Sequence, residues 1–385
     1  MEDRIYDYWV ATLQDGYIGN ITGFTQKAGG AKELYKMTAD KMQEMLGLSP
    51  RLAAYIDEHR TDTGILEEEF LMLAENGVIY KDHKDDDFPR RLCNIPSIPY
   101  GLFVKGSLPA DDEPLVAIVG ARECSEYGRL MAEYLGKRLA AEGVGIVSGM
   151  AWGIDGLAQD AALSAGGRSY AVLGCGVDVV YPAKNRGLYN RLLENGSGVI
   201  SEYAPGTRAE SRRFPPRNRI ISGLCDVLIV VEARAKSGTL ITVDMAIDQG
   251  REVMVVPGRL TDSLSAGCLK LMDQGAHPVT GIDSVLEKLH LRSSSKRERT
   301  KNDRTKSNRT KSAGAERKTG KSAAIPEELN KVLMLLTIDP QSTEQIADRA
   351  GMPVETAMVI LTKLEMLGFA REVWPGYFVK QTAVS

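Results

Sequence analysis

Histidine is scarce in this 385-residue chain, with four copies at positions 59, 83, 277 and 290. None falls in the loops where ligand chemistry is concentrated, so neither a Ser–His nor a Cys–His pair is available there. Cysteine is equally thin. The five residues Cys93, Cys124, Cys175, Cys225 and Cys268 stand singly and far apart. An odd count without a C-x-x-C pairing excludes a disulfide framework and a structural zinc site, and it points to the reducing cytoplasm. No metal site is expected. No run approaches the roughly eighteen uninterrupted apolar residues that a membrane span needs. The opening Met1-Glu2-Asp3-Arg4-Ile5 lacks the basic start and apolar stretch of a secretory signal, so export is not expected.

What is present is unevenly distributed. The net charge is −3, but residues 292–322 hold twelve Lys/Arg against three Asp/Glu, a balance of +9 that leaves −12 for the rest of the chain. An acidic average does not exclude nucleic acid as a partner, because phosphate contacts depend on local patches. At this length two to three domains are expected. Residues 1–78 read as a module of short helices resembling SAM or helix-hairpin-helix modules, with apolar residues at helical spacing in Ile5, Trp9, Val10 and Leu13. In Gly47-Leu48-Ser49-Pro50 a Gly turn precedes an N-cap and a Pro at the first helical position. Such a hairpin either holds DNA phosphates or only packs against its neighbours. Residues 79–112 form a Pro-rich approach to the next domain, with one short strand at Leu102-Phe103-Val104.

From Leu115 to residue 291 short apolar runs alternate with helical segments, the pattern of βαβ units. The runs Leu115–Val119, Val144–Val147, Tyr170–Leu173, Val199–Ile200, Val227–Val231 and Glu252–Val256 are nearly continuous, as strands buried on both faces should be. The fold class is therefore α/β, a Rossmann-like, doubly wound and mainly parallel sheet. Residues 292–325 are polar and of low complexity, and read as a basic disordered linker. Thr319-Gly320-Lys321-Ser322 within it imitates the end of a Walker A loop, but position 315 is Ala and no strand precedes it. Residues 326–385 read as a winged-helix domain. Ser342-Thr343-Glu344-Gln345 opens one helix as a capping box, and Val354–Leu367 is the presumptive recognition helix. That helix carries Lys363 against Glu355 and Glu365, which favours protein interaction over duplex binding.

In an open parallel sheet ligands bind beyond the carboxyl ends of the strands. Here those ends carry Gly120-Ala121-Arg122, Ser148-Gly149, Lys184-Asn185, Arg217-Asn218-Arg219 and Lys236-Ser237-Gly238-Thr239. Glycine lets backbone N–H groups approach an anion closely, and Arg offers a planar fork to phosphate. Repetition of such loops along one edge predicts a phosphate-binding surface. It is not a dinucleotide site, since Gly120-x-Arg122 does not continue as G-x-G-x-x-G and Ser148 stands where an acid would hold a ribose, so no cofactor is expected. Asp155, Glu202 and Glu232 could form an acid/base set, but they read better as caps and as partners for the neighbouring arginines. Catalysis therefore lacks players, and a non-enzymatic binding role is expected.

Taken in order, the strings Ala117-Ile118-Val119-Gly120-Ala121-Arg122, Ser148-Gly149-x-Ala151-x-Gly153-Ile154-Asp155, Tyr181-Pro182-x-Lys184-Asn185, Ser201-Glu202-Tyr203, Arg217-Asn218-Arg219-Ile220-Ile221, Lys236-Ser237-Gly238-Thr239-Leu240 and Gly250-Arg251 followed by Val256-Pro257-Gly258 resemble the DprA/Smf family of DNA-processing proteins over about 80–290. The resemblance implies single-stranded DNA binding without sequence preference, a homodimer, and loading of RecA recombinase during natural transformation. It also implies Arg122 and Lys184 as the foremost DNA contacts, with the Arg217–Arg219 and Lys236–Thr239 loops beside them. Two departures stand out. Ala121 replaces a frequent Thr, and Gln159 replaces a frequent His whose loss weakens any enzymatic reading. The alternative is a Rossmann-like phosphoribohydrolase acting on nucleotide phosphates.

Overall fold

The computed structural model describes residues 3–13, 21–291, 326–337, 340–374 and 376–381. The chain divides into two compact units, Met1–Glu298 and Arg299–Ser385. In the first, six short helices come before the sheet: α1 (Arg4–Thr12), α2 (Ile21–Ala28), α3 (Ala31–Lys36), α4 (Ala39–Leu46), α5 (Pro50–Glu58) and α6 (Thr63–Glu75). The α4–α5 hairpin forms as the sequence implies. Gly47 takes the left-handed conformation, and the Ser49 hydroxyl accepts a bond from Leu52 N at 3.3 Å, with Pro50 in the first turn.

The strands are β1 (Ile79–Asp82), β2 (Gly101–Gly106), β3 (Leu115–Val119), β4 (Gly145–Ser148), β5 (Ser169–Leu173), β6 (Gly198–Ser201), β7 (Val227–Val230), β8 (Glu252–Val255) and β9 (His277–Pro278). Their order across the sheet is β1-β2-β6-β5-β4-β3-β7-β8-β9. From β6 to β9 every pair is parallel, and β1 and β2 extend the β6 edge in antiparallel register. Strand β1 corrects the expectation of an irregular stretch with a single strand after residue 78. Its four residues alternate outward Ile79 and Lys81 with buried Tyr80 and Asp82, a pattern too short and too charged to stand out.

Successive side chains of each strand enter opposite cores, the period of two that a strand imposes. Leu115, Ala117 and Val119 face a core shared with α10 (Phe214–Leu224), α11 (Gly238–Asp248) and α12 (Ala266–Asp273). Val116 and Ile118 face α7 (Glu126–Ala141), α8 (Ile154–Ser164) and α13 (Ile282–Lys288). On that second face, towards β6, Leu173 and Val199 share a core with α9 (Arg186–Glu194) and with the N-terminal helices through Trp9, Leu34 and Ile56. The helices of residues 1–78 thus have no core of their own separate from the sheet. Buried Asp7 of α1 fixes them further, accepting from Tyr100 Oη at 2.6 Å and Lys84 Nζ at 2.7 Å.

The second unit is a winged helix. Helices α14 (Glu327–Leu335), α15 (Thr343–Ala350) and α16 (Val354–Met366) pack on an antiparallel sheet of β10 (Gln341–Ser342), β11 (Ala370–Trp374) and β12 (Tyr377–Lys380), ordered β10-β12-β11. The capping box closes in both directions. Gln345 N donates to Ser342 Oγ at 3.2 Å, and Ser342 N donates to Gln345 Oε1 at 3.0 Å. The expected basic linker, 292–325, lies outside the described residues. Among the described residues no helix is long and apolar enough to cross a membrane.

Candidate nucleic-acid interface

The strand order reverses between β3 and β7, which lie side by side and parallel. Two loops leave these strands in opposite directions and open a crevice at their carboxyl ends, where open α/β sheets bind ligands. A cavity of about 450 Å³ occupies that place. Its walls come from Gly120, Ala121 and Arg122 after β3, from Phe214, Arg217 and Asn218 of α10, and from Ser237, Gly238 and Thr239 at the start of α11.

Close approach of backbones shapes this crevice. A Cβ on Gly120 would sit 2.7 Å from Ile154 Cγ1, so only glycine lets the start of α8 press against the end of β3. Gly153, at φ +85°, opens α8, and a Cβ there would clash with the carbonyl oxygens of Ala121 and Arg122. Ile154 N donates to Ala121 O at 3.2 Å, closing the seam. On the other side Glu232, just beyond β7, accepts from Ser125 N at 2.9 Å and from the Ser125 hydroxyl, while Ser125 caps α7. The loops after β3, β4 and β7 are therefore tied to one another before any ligand arrives.

Beneath the cavity lies a buried charge pair. Arg217 donates to the carbonyls of Val172 and Gly149, and its Nε donates to Asn218 Oδ1 at 3.2 Å. Burial lowers its guanidinium to about 10, with Asp155 pulling the other way. Burial likewise pushes the Asp155 carboxyl up, against the attraction of Arg217 and a bond from Gly149 N at 3.1 Å. Asp155 and Glu232 thus orient loops and arginines. Gln159, in the place of the family's frequent His, is buried too. It accepts from Met150 N at 3.0 Å and donates to Ser169 Oγ and Tyr170 O, each at 3.1 Å.

The residues singled out in the sequence separate into groups. Gly120, Arg122, Arg217, Asn218, Ser237, Gly238 and Thr239 meet around the first cavity. Lys184 and Asn185 line a neighbouring one, again with Arg122. Asn185 holds the β4–α8 loop, donating to Met150 O at 2.9 Å and Ala151 O at 3.2 Å. Ser148 and Gly149 lie behind the wall with their donors engaged, Ser148 Oγ on Ile118 O at 2.6 Å and Gly149 N on Asp155. Two more residues are not brought in. Arg219 turns away to Glu202 at 2.6 Å and Ser97 O at 2.8 Å. Lys236 is exposed and lines neither cavity.

Sequence reasoning assigned no role to three aromatic residues. Phe214 lies at the cavity wall with the Arg122 and Arg217 guanidiniums each 5.6 Å from its ring centre, and Tyr181 stacks on it at 5.5 Å and 29°. Trp152 lies beneath Lys184 Nζ at 5.1 Å. Their signal was an aromatic residue inside or next to a strand-end loop, where core packing offers no reason for one. Cations over aromatic faces and an open cleft at the start of α11 suit a polyanion that also carries flat rings.

Comparison with known proteins finds similar sequences and similar folds. The family model for DNA recombination-mediator protein A matches residues 80–290, and that for the DprA winged helix domain matches 316–373. The DNA processing protein DprA of Streptococcus pneumoniae is 46% identical over 202 residues, 52% of this chain and 71% of that one. The solved structure of a pneumococcal DprA superposes with a TM-score of 0.63 at 34% identity, covering 74% of this chain and 97% of the other. DNA processing protein A of Helicobacter pylori, solved for its single-stranded DNA binding mode, gives a TM-score of 0.50 at 29% identity over 55% and 95%.

Proposed function

The chain belongs to the DprA/Smf family of DNA-processing proteins, and from that premise we propose that it binds and protects single-stranded DNA without sequence preference through the β3/β7 crevice. The observation that carries this reading is Arg122. It is exposed at the mouth of the cavity, seated on Phe214 and shared by both cavities. Cations and backbone donors meet phosphates, which every strand presents, and aromatic faces accept any base. Binding by such groups is indifferent to sequence. The role is non-catalytic.

Each lost phosphate contact should flatten the log–log salt dependence by about 0.7 for a single strand. Arg122→Ala and Lys184→Ala should therefore weaken binding to unrelated single-stranded sequences equally and give shallower salt slopes, measured by fluorescence anisotropy. Unchanged binding in both variants would overturn the proposal. Family membership supports the finer reading that the protein works as a homodimer in the cytoplasm and loads RecA recombinase onto incoming strands during transformation. That step is tested by RecA-dependent ATP hydrolysis on strands coated with single-strand-binding protein, which the wild type should stimulate and Arg122→Ala should not.

A further inference from the structure

The neighbouring cavity, about 560 Å³, is bounded by the start of α7, by α8 and by the turn at Lys184 and Asn185. One of its walls is Trp152, which is 51% exposed. Tryptophan carries the largest apolar surface of any side chain and is highly buried on average, yet Trp152 joins none of the hydrophobic cores of its unit. Packing does not account for it. Lys184 lies over the indole, and Arg122 shares the same cavity while resting on Phe214 of the first. Arg122, common to both cavities, therefore stands between a ring of the first, Phe214, and a ring of the second, Trp152, over which Lys184 lies.

A single strand repeats as base, phosphate, base, and this arrangement repeats as ring, cation, ring. We propose that the second cavity receives an unpaired nucleobase stacked on the face of Trp152 that Lys184 leaves open, next along the strand from a nucleotide in the first cavity, with Arg122 at the intervening phosphate and Lys184, held by the indole, beside it. The inference rests on the reading that single-stranded DNA occupies the crevice. It adds a base-binding subsite on a residue that supplies no hydrogen bond to the base. Stacking is worth about 1–3 kcal/mol per base and accepts all four bases.

The test uses the full-length protein and oligo(dT). Trp152→Leu removes the ring and keeps apolar bulk, and Trp152→Phe keeps a ring. Trp152→Leu should raise Kd about tenfold with the salt slope unchanged, and Trp152→Phe should stay within about threefold of wild type. The loss in Trp152→Leu should vanish on a strand whose sugars carry no bases. At saturation oligo(dT) should quench tryptophan fluorescence more in the wild type than in Trp152→Leu, since Trp9, held on His59 O at 2.8 Å, and Trp374 are common to both proteins. Wild-type affinity in Trp152→Leu would overturn the inference, as would an equal loss on base-free strands, which would mean that the indole acts only by placing Lys184. If Arg122→Ala weakens binding while Trp152→Leu does not, the subsite alone fails. If neither weakens it, the proposed function fails with it.

Discussion

Arg122 and Arg219 look alike in the sequence, each an arginine in a loop or helix start at the carboxyl edge of the sheet. Their surroundings give them opposite work. Arg219 is a tie. Its fork takes Glu202 at 2.6 Å and the carbonyls of Ser97 and Pro216, joining α10 to the Pro-rich segment, and both members of the pair are largely buried. Removing one partner of such a pair leaves the other charge buried without compensation. Arg219→Ala should therefore lower unfolding free energy by about 3–5 kcal/mol in urea titrations, with the salt slope of DNA binding unchanged. Arg122→Ala should shift stability by less than about 0.5 kcal/mol, as exposed substitutions do. A reversed pattern would show that the roles are misassigned. The sequence made the cations legible as a group. Which of them meets an acid depends on the face of α10 it occupies and on Glu202, seventeen residues earlier, and one-dimensional spacing does not report that.

The strands from β3 to β8 were legible because each is buried on both faces and so appears as an apolar run bounded by small residues. The edge strand β1 was not, since it is short and exposes half its residues. The loops were legible through glycine, but the reason for each glycine was not. Gly153 and Gly250 both have positive φ, +85° and +68°, yet only Gly153 faces another backbone. Gly250→Ala meets open space and should cost about 1 kcal/mol through its backbone conformation alone, leaving DNA affinity intact. Gly153→Ala must push the Ala121–Arg122 loop away from α8. It should lower the thermal midpoint and also weaken single-strand binding. A Gly153→Ala protein of full affinity would mean that the seam between the loop and α8 does not position Arg122. The aromatic residues of the site were hidden differently. Phe214, Tyr181 and Trp152 come from three separate segments, and only the fold stacks Tyr181 on Phe214, seats Arg122 over Phe214 and sets Lys184 over Trp152.

At the scale of the whole molecule, residues 292–322 carry +9 while the rest of the chain carries −12. Such a segment should attract a polyanion without directing it. Deleting 293–322 is expected to make the salt slope shallower and to weaken binding at low ionic strength, with sensitivity to Arg122→Ala retained. An unchanged slope would show that the segment stays clear of DNA. The acidic remainder also makes the bond between Glu232 and Ser125 consequential. An unpaired carboxylate at the switch point would repel the phosphates the crevice is proposed to hold, but here its oxygens are occupied by the backbone N–H and hydroxyl of the residue that caps α7. The crevice is thereby shaped in advance, so a strand should dock without waiting for the protein to rearrange. Differences in affinity among strands should then be expressed in how long they stay rather than in how fast they arrive.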